Sequence, residues 1–125
     1  MRQIQASEVA PSSSPLSQAI VEDDLVFTSG QLPRESDGTY VEGGIKEQTE
    51  QVMENLSSVL EESNSSLDNV VKATVLLTDT DHFEGFNEVY SEYMPEPYPA
   101  RSAFIVSLAR PEADVEVELI AKTDQ

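Results

Sequence analysis

The chain reads as an α+β domain, a mixed six-stranded sheet with two helices on one face. Three observations lead there. Two segments carry apolar residues at the helical period, and several shorter ones carry them at the strand period. These segments follow the order β, β-hairpin, α, β, α, β, β. Finally, 125 residues with 38% hydrophobic content can bury the core of one domain, and no linker or internal repeat divides residues 1–125.

The elements follow in order. Residues 2 to 5 suit a short edge strand, and APSSSPLSQ (10 to 18) is a proline- and serine-rich loop. AIVEDDLVFTSG places two apolar runs around Glu22, Asp23 and Asp24, the signature of a β-hairpin. Residues 33 to 44 are loop, with Gly38, Gly43 and Gly44 as breakers. In IKEQTEQVMENLSSVLEES, Ile45, Val52, Met53, Leu56, Val59 and Leu60 recur at the 3.6-residue period, with glutamates opposite. Asn64 then suits the left-handed position that ends a helix. NVVKATVLLTD (69 to 79) is β-branched and nearly all apolar, so it predicts a central strand. Asp81 with Glu84 predicts a capping-box start for a second helix striped by Phe83, Phe86, Tyr90 and Tyr93, and Pro95, Pro97 and Pro99 end it. RSAFIVSL and the strictly alternating DVEVELIAK are the last two strands. The second face of this sheet carries enough apolar residues to call for cover by other subunits.

Charge is the oddest global feature: 24 acidic residues against 7 basic ones give a net charge of −17. The acids are dispersed, as in Glu22–Asp24, Glu47–Glu54 and Glu61–Glu62, so they form a surface and not a tail. Such a surface with three lysines is the pattern of halophile cytosolic proteins, where salt near 1 M shortens the Debye length to about 3 Å. An acidic mesophilic protein is the plainer alternative. Either way nucleic acid is a poor partner, because phosphate binding needs a basic footprint. The chain has no cysteine, no apolar run of roughly 18 residues and no secretory h-region, so a cytoplasmic protein with no membrane partner is expected.

Composition also excludes much chemistry. One histidine, His82, and no cysteine argue against a zinc site. DTDHFE begins like a calcium loop but has Glu84 and Tyr90 where glycine and glutamate are needed, so a helix cap explains it better. The glycines fit neither a phosphate loop nor a dinucleotide fingerprint. Three strand-borne features remain. In YPARSAFIV, Arg101 shares a strand face with Ala103 and Ile105. It is either an ion-pair partner for one of the many acids or an anion receptor, since guanidinium binds carboxylate bidentately. Glu116 and Glu118 share the face opposite Val115, Val117 and Leu119, as decoration or as site residues. Ser29-Gly30, ending a strand, exposes a hydroxyl and permits close approach of a ligand, though an ordinary turn reads the same way.

The ordered set of these motifs resembles the RidA (YjgF-like) family of imine deaminases, and the resemblance covers nearly the whole chain. ASEVAPSSSPLSQA is similar to the family's opening and FTSGQLP to its Thr-Ser-Gly-Gln hairpin end. VKATVLLTDTDHFEGFNEVYSEY is similar to its central strand and second helix, YPARSAF to its Pro-Ala-Arg-Ser signature, and VEVELIA to its last strand. The resemblance implies a chorismate-mutase-like subunit, a homotrimer with sheets facing inward, and ligand clefts between subunits. It implies cofactor-free hydrolysis of 2-aminoacrylate or 2-iminopropanoate to a 2-oxo acid and ammonia. By position, Arg101 would grip the substrate carboxylate and Glu116 would orient the attacking water, with Glu118 as its same-face neighbour. Ser29 and Gly30 would contact the substrate, and Asn87 and Tyr98 would line the cleft. Two positions depart from the pattern: Leu16 stands where the family has tyrosine, and Ala103 where it has cysteine. Leu16 makes the pocket more apolar, which favours larger aliphatic imines or signals reduced activity. The alternatives are thus a non-catalytic small-carboxylate-binding trimer and, less in keeping with the charge, a ribonuclease.

Overall fold

A computed structural model describes residues 1–124. Its strands are β1 (Arg2–Ile4), β2 (Ala19–Glu22), β3 (Leu25–Thr28), β4 (Val70–Leu77), β5 (Ala100–Ile105) and β6 (Val115–Lys122). They form one six-stranded sheet in the order β1-β2-β3-β6-β4-β5. Helices α1 (Ile45–Glu62) and α2 (Phe83–Tyr93) cover one face. The sheet is mixed as expected: β4 and β5 run parallel, and every other pairing is antiparallel. Parallel neighbours need a crossover, and α2 supplies it.

The core lies between α1 and the central strands. Val52, Met53, Leu56, Val59 and Leu60 are fully buried against Val26, Ala73, Val75, Leu77, Val115 and Val117. Full burial of each such side chain stabilises by roughly 1.5–3 kcal/mol, so this seam carries most of the fold. Two buried polar residues of α1, Gln48 and Asn55, hold loops. Asn55 Nδ2 donates to the carbonyl oxygens of Arg34 (2.9 Å) and Leu32 (3.3 Å). Gln48 accepts from Asp114 N–H at 2.8 Å and donates back to the Asp114 carboxylate at 3.2 Å. α1 thereby fixes both the loop after β3 and the loop before β6.

Asn64 takes the left-handed position after α1 with φ 59°. Asn64→Ala should destabilise the fold by about 1–2 kcal/mol, the cost of placing a Cβ in that region, while Asn64→Gly stays near wild type in urea denaturation. The start of α2 differs from the expected capping box. The capping side chain is Asp79, which accepts from Asp81 N–H at 2.8 Å and opens a 3₁₀ turn, Thr80–His82, that leads into the helix. Asp81 and Glu84 are both exposed, and the chain turns two residues earlier because Asp79, just past the end of β4, still has extended backbone. The other sheet face stays uncovered in this chain, with Phe27 and Phe104 43% and 53% exposed.

Candidate active site

The structure gathers the expected site residues into two groups. The first forms at the end of β3. Gln31 pairs with Val117 of β6, donating at 2.8 Å and accepting at 3.3 Å, which draws Ser29 and Gly30 alongside Glu116. Gly30 leaves the Glu116 side chain its place there: a Cβ would stand 2.8 Å from the carboxyl carbon, so the carboxyl would have to shift. The Ser29 hydroxyl donates to the Ser17 carbonyl oxygen, and Ser29 N–H donates to Gln18 O at 2.9 Å. Buried Gln18 in turn accepts from Ala6 N–H at 2.8 Å, so the loop that bears Leu16 is tied down from both sides. Leu16, Ser29, Gly30 and Glu116 line a single hollow of about 530 Å³, and Leu16 is half exposed at its rim.

The second group forms where β5 begins. Arg101 pairs with Ala73, whose side chain is fully buried under the helices, so the arginine points to the helix face. Its guanidinium lies over the rings of Phe86 (5.8 Å) and Tyr90 (5.2 Å), which stack on each other at 5.4 Å. Arg101 Nη1 donates to Asn87 Oδ1 at 2.8 Å. Among the described residues no carboxylate pairs with Arg101, so in this chain its charge stays uncompensated despite the abundance of acids. Asn87, Tyr98 and Arg101 share a hollow of about 290 Å³. The Tyr90 hydroxyl is buried without a partner; burial pushes its pKa up while the neighbouring Arg101 charge opposes that.

The two groups do not meet within one chain. Glu116 pairs with Leu76 on the uncovered face, whereas Arg101 pairs with Ala73 on the helix face. Glu118 lies opposite Thr74, exposed on the uncovered face, and lines neither hollow. Ala103 packs against the hydrophobic core and also lines neither. The Glu116 carboxyl is held above its ordinary pKa by its burial and then by the charge of Glu118, so Glu118 acts on it without touching the hollow. His82 stands 3.7 Å from Asp114, away from both groups. Among the described residues no cluster of three or more His, Asp or Glu could hold a metal ion.

Sequence reasoning missed several contributors. Gln31, Arg34, Tyr40 and Arg110 line the larger hollow, and the rings of Phe86 and Tyr90 form the bed of Arg101. A signal for the arginines was present: in a chain this poor in positive charge, Arg34 and Arg110 call for the same question as Arg101. The aromatic bed carried no separate signal, because Phe86 and Tyr90 already serve as the apolar stripe of α2.

Comparison with known proteins agrees with this layout. The family described as Endoribonuclease L-PSP matches residues 7–123. A 2-iminobutanoate/2-iminopropanoate deaminase from Capra hircus is 37% identical over 123 residues, covering 97% of this chain and 90% of that protein. The crystal structure of RidA from the Antarctic bacterium Psychrobacter sp. PAMC 21119 superposes with a TM-score of 0.93 at 36% identity, covering 98% of this chain and 99% of that one. E. coli TdcF with bound serine superposes at 0.91 with 26% identity, covering 99% and 100%. With the sheet order, the Ser29-Gly30 end beside Glu116 and the Pro-Ala-Arg-Ser strand all in place, the chain belongs to the RidA (YjgF-like) family, the one described as Endoribonuclease L-PSP.

Proposed function

We propose that this protein hydrolyses reactive 2-imino acids and their enamine tautomers to 2-oxo acids and ammonia, without a cofactor, in clefts built from two copies of the chain within a homotrimer. The observation that carries this reading is the separation of the half-sites. One face offers an uncompensated guanidinium beside Asn87, and the opposite face offers a carboxyl packed on Gly30. Neither half is sufficient; β5 is an edge strand, and packing that edge over the uncovered sheet face of a second copy, with Phe27 and Phe104 inside, would set Arg101 of one copy against Glu116 of the other. The goat deaminase and the serine-bound TdcF support a small carboxylate-bearing ligand.

The chemistry then follows from positions. Arg101 receives the substrate carboxylate in two parallel hydrogen bonds, which fixes the imine carbon in one orientation. Glu116, as carboxylate, takes a proton from a water that adds to that carbon. The carbinolamine collapses to C=O as its nitrogen accepts a proton and leaves as ammonia. The substrate is labile by itself, so placement and general acid–base help suffice. Ser29 is already donating to Ser17 O, so its hydroxyl oxygen is left to accept an N–H of the substrate.

Generating 2-iminopropanoate with an amino-acid oxidase, in buffers from low to molar salt, is the test. Imine decay should accelerate with added protein, and sedimentation in the same buffers should give three chains per particle. Tight binding of a 2-oxo acid without turnover of any imine would instead identify a carboxylate-binding protein. A ribonuclease is disfavoured by the charge of −17 and by the place of His82, which is the chain's one histidine and lines neither hollow.

A further inference from the structure

The larger hollow has an end that the reaction above leaves unused. Arg34 and Arg110 both line it, two of only seven basic residues in the chain. Arg34 is held in place by neutral groups. Its Nε donates to Gly38 O at 3.3 Å and its Nη1 to Pro11 O at 3.4 Å, while Asn55 grips its backbone carbonyl. Gly38, at φ +92°, lets the loop fold tightly around the guanidinium; a Cβ there would lie 3.1 Å from Nη2. The group is therefore fixed while its charge stays uncompensated. Arg110 sits on the loop before β6 with its side chain exposed. Among the described residues neither arginine has a carboxylate within ion-pair distance, although the chain carries 24 acids. The hollow's own acid, Glu116, is not their partner, since no ion pair among the described residues joins it to either guanidinium. The two cations share the wall with Ser12, Ser13 and Ser14.

We propose that Arg34 and Arg110 form a distal anion subsite, and that the favoured substrates are 2-imino acids whose side chain ends in a second carboxylate. The inference rests on the deaminase reading above and adds the substrate class to it. A hollow of about 530 Å³ lies within the roughly 300–1,000 Å³ of sites for much larger ligands, far more room than a three-carbon acid fills. The α-carboxylate goes to Arg101 of the other half-site, methylenes lie along Leu16, and the terminal carboxylate meets the two guanidinium groups. A protein with a net charge of −17 repels a dianion at long range, so local cations inside the hollow are what make such a substrate bindable.

The experiment compares 2-iminosuccinate with 2-imino-4-methylpentanoate, which has nearly the same shape but a neutral branch in place of the second carboxylate. Wild type should prefer the dicarboxylic imine by about tenfold or more in kcat/KM, less so as salt rises. Arg110→Gln should cut that preference ratio by about tenfold, with Arg110→Lys recovering part of it. Arg34→Gln should do the same where its thermal melt shows that the loop is intact. A wild-type ratio near one, or an Arg110→Gln ratio equal to wild type, overturns the subsite. If Arg110→Gln alters the oligomeric state and leaves the ratio alone, the arginines serve contacts between chains and the subsite is again overturned. If neither imine is hydrolysed, the deaminase reading fails by itself. The subsite is then decided by calorimetry with 2-oxosuccinate against 4-methyl-2-oxopentanoate: an Arg110-dependent preference for the diacid upholds it, and equal affinities reject it.

Discussion

Arg101→Ala should lower kcat/KM for imine hydrolysis by roughly 30-fold or more, while leaving the fold almost as stable as before. The first half follows from the charge. Arg101 has an amide oxygen and two aromatic rings for company and no carboxylate, so its charge is free to pair with a ligand. Removing one partner of a desolvated charge pair costs about 2–5 kcal/mol, which is the source of the factor. The second half follows from exposure. The side chain sits at the surface of an edge strand, where stacking on Phe86 and Tyr90 contributes only about 0.5–1 kcal/mol. Arg101→Lys should recover only part of the loss, because an ammonium cannot make the two parallel bonds of a guanidinium. Steady-state imine decay and a thermal melt, run on all three proteins, check both halves. Full kcat/KM in Arg101→Ala would make the arginine a packing residue.

Glu116→Gln should reduce kcat by about 10²-fold, at the low end of what a positioned general base contributes. Glutamine keeps the shape that Gly30 makes room for, so the loss isolates the proton-accepting role from the packing. The pH dependence gives a second check. Burial, and then the charge of Glu118, hold the Glu116 pKa above its ordinary value of 4.5. The carboxylate form needed as base is therefore lost at higher pH than for an ordinary glutamate, and the acid limb of kcat/KM should be shifted up accordingly. Glu118→Gln should move that limb to lower pH without entering either hollow, and an unmoved limb would remove Glu116 from the role of base. Linkage fixes the sign for stability. Between the unfolded and the raised folded pKa, the folded chain holds the proton more tightly, so Glu116 makes stability fall as pH rises through that window. Glu116→Gln abolishes this contribution.

Much of this molecule was legible before any coordinates. The stripe of α1 and the alternation of β6 each bury one face, and burial of one face is a local property that spacing records. The left-handed Asn64 is likewise local, a matter of one residue's tolerance for positive φ. The cap of α2 was misplaced because Asp79 and Asp81 both satisfy the local pattern, and only the point where β4 leaves the sheet chooses between them.

The candidate site divides along the same line. The resemblance carried by the motifs pointed to Arg101, Glu116, Ser29 and Gly30, but spacing along a strand says nothing about which sheet face a residue on another strand occupies. That was decided by pairing: β5 meets β4 in a register that turns Arg101 toward the helices, and β6 meets it in one that turns Glu116 away. The grouping of Arg34 and Arg110 was beyond sequence reading for a related reason, since a loop held by Asn55 and another held by Gln48 bring together residues 76 positions apart. By itself the sequence determined the elements, the acidic surface and the chemical cast, because periodicity and composition act locally. Only the tertiary structure decided that the cast stands on two faces of one sheet, because cross-strand register and loop anchoring are set by contacts far apart in the chain.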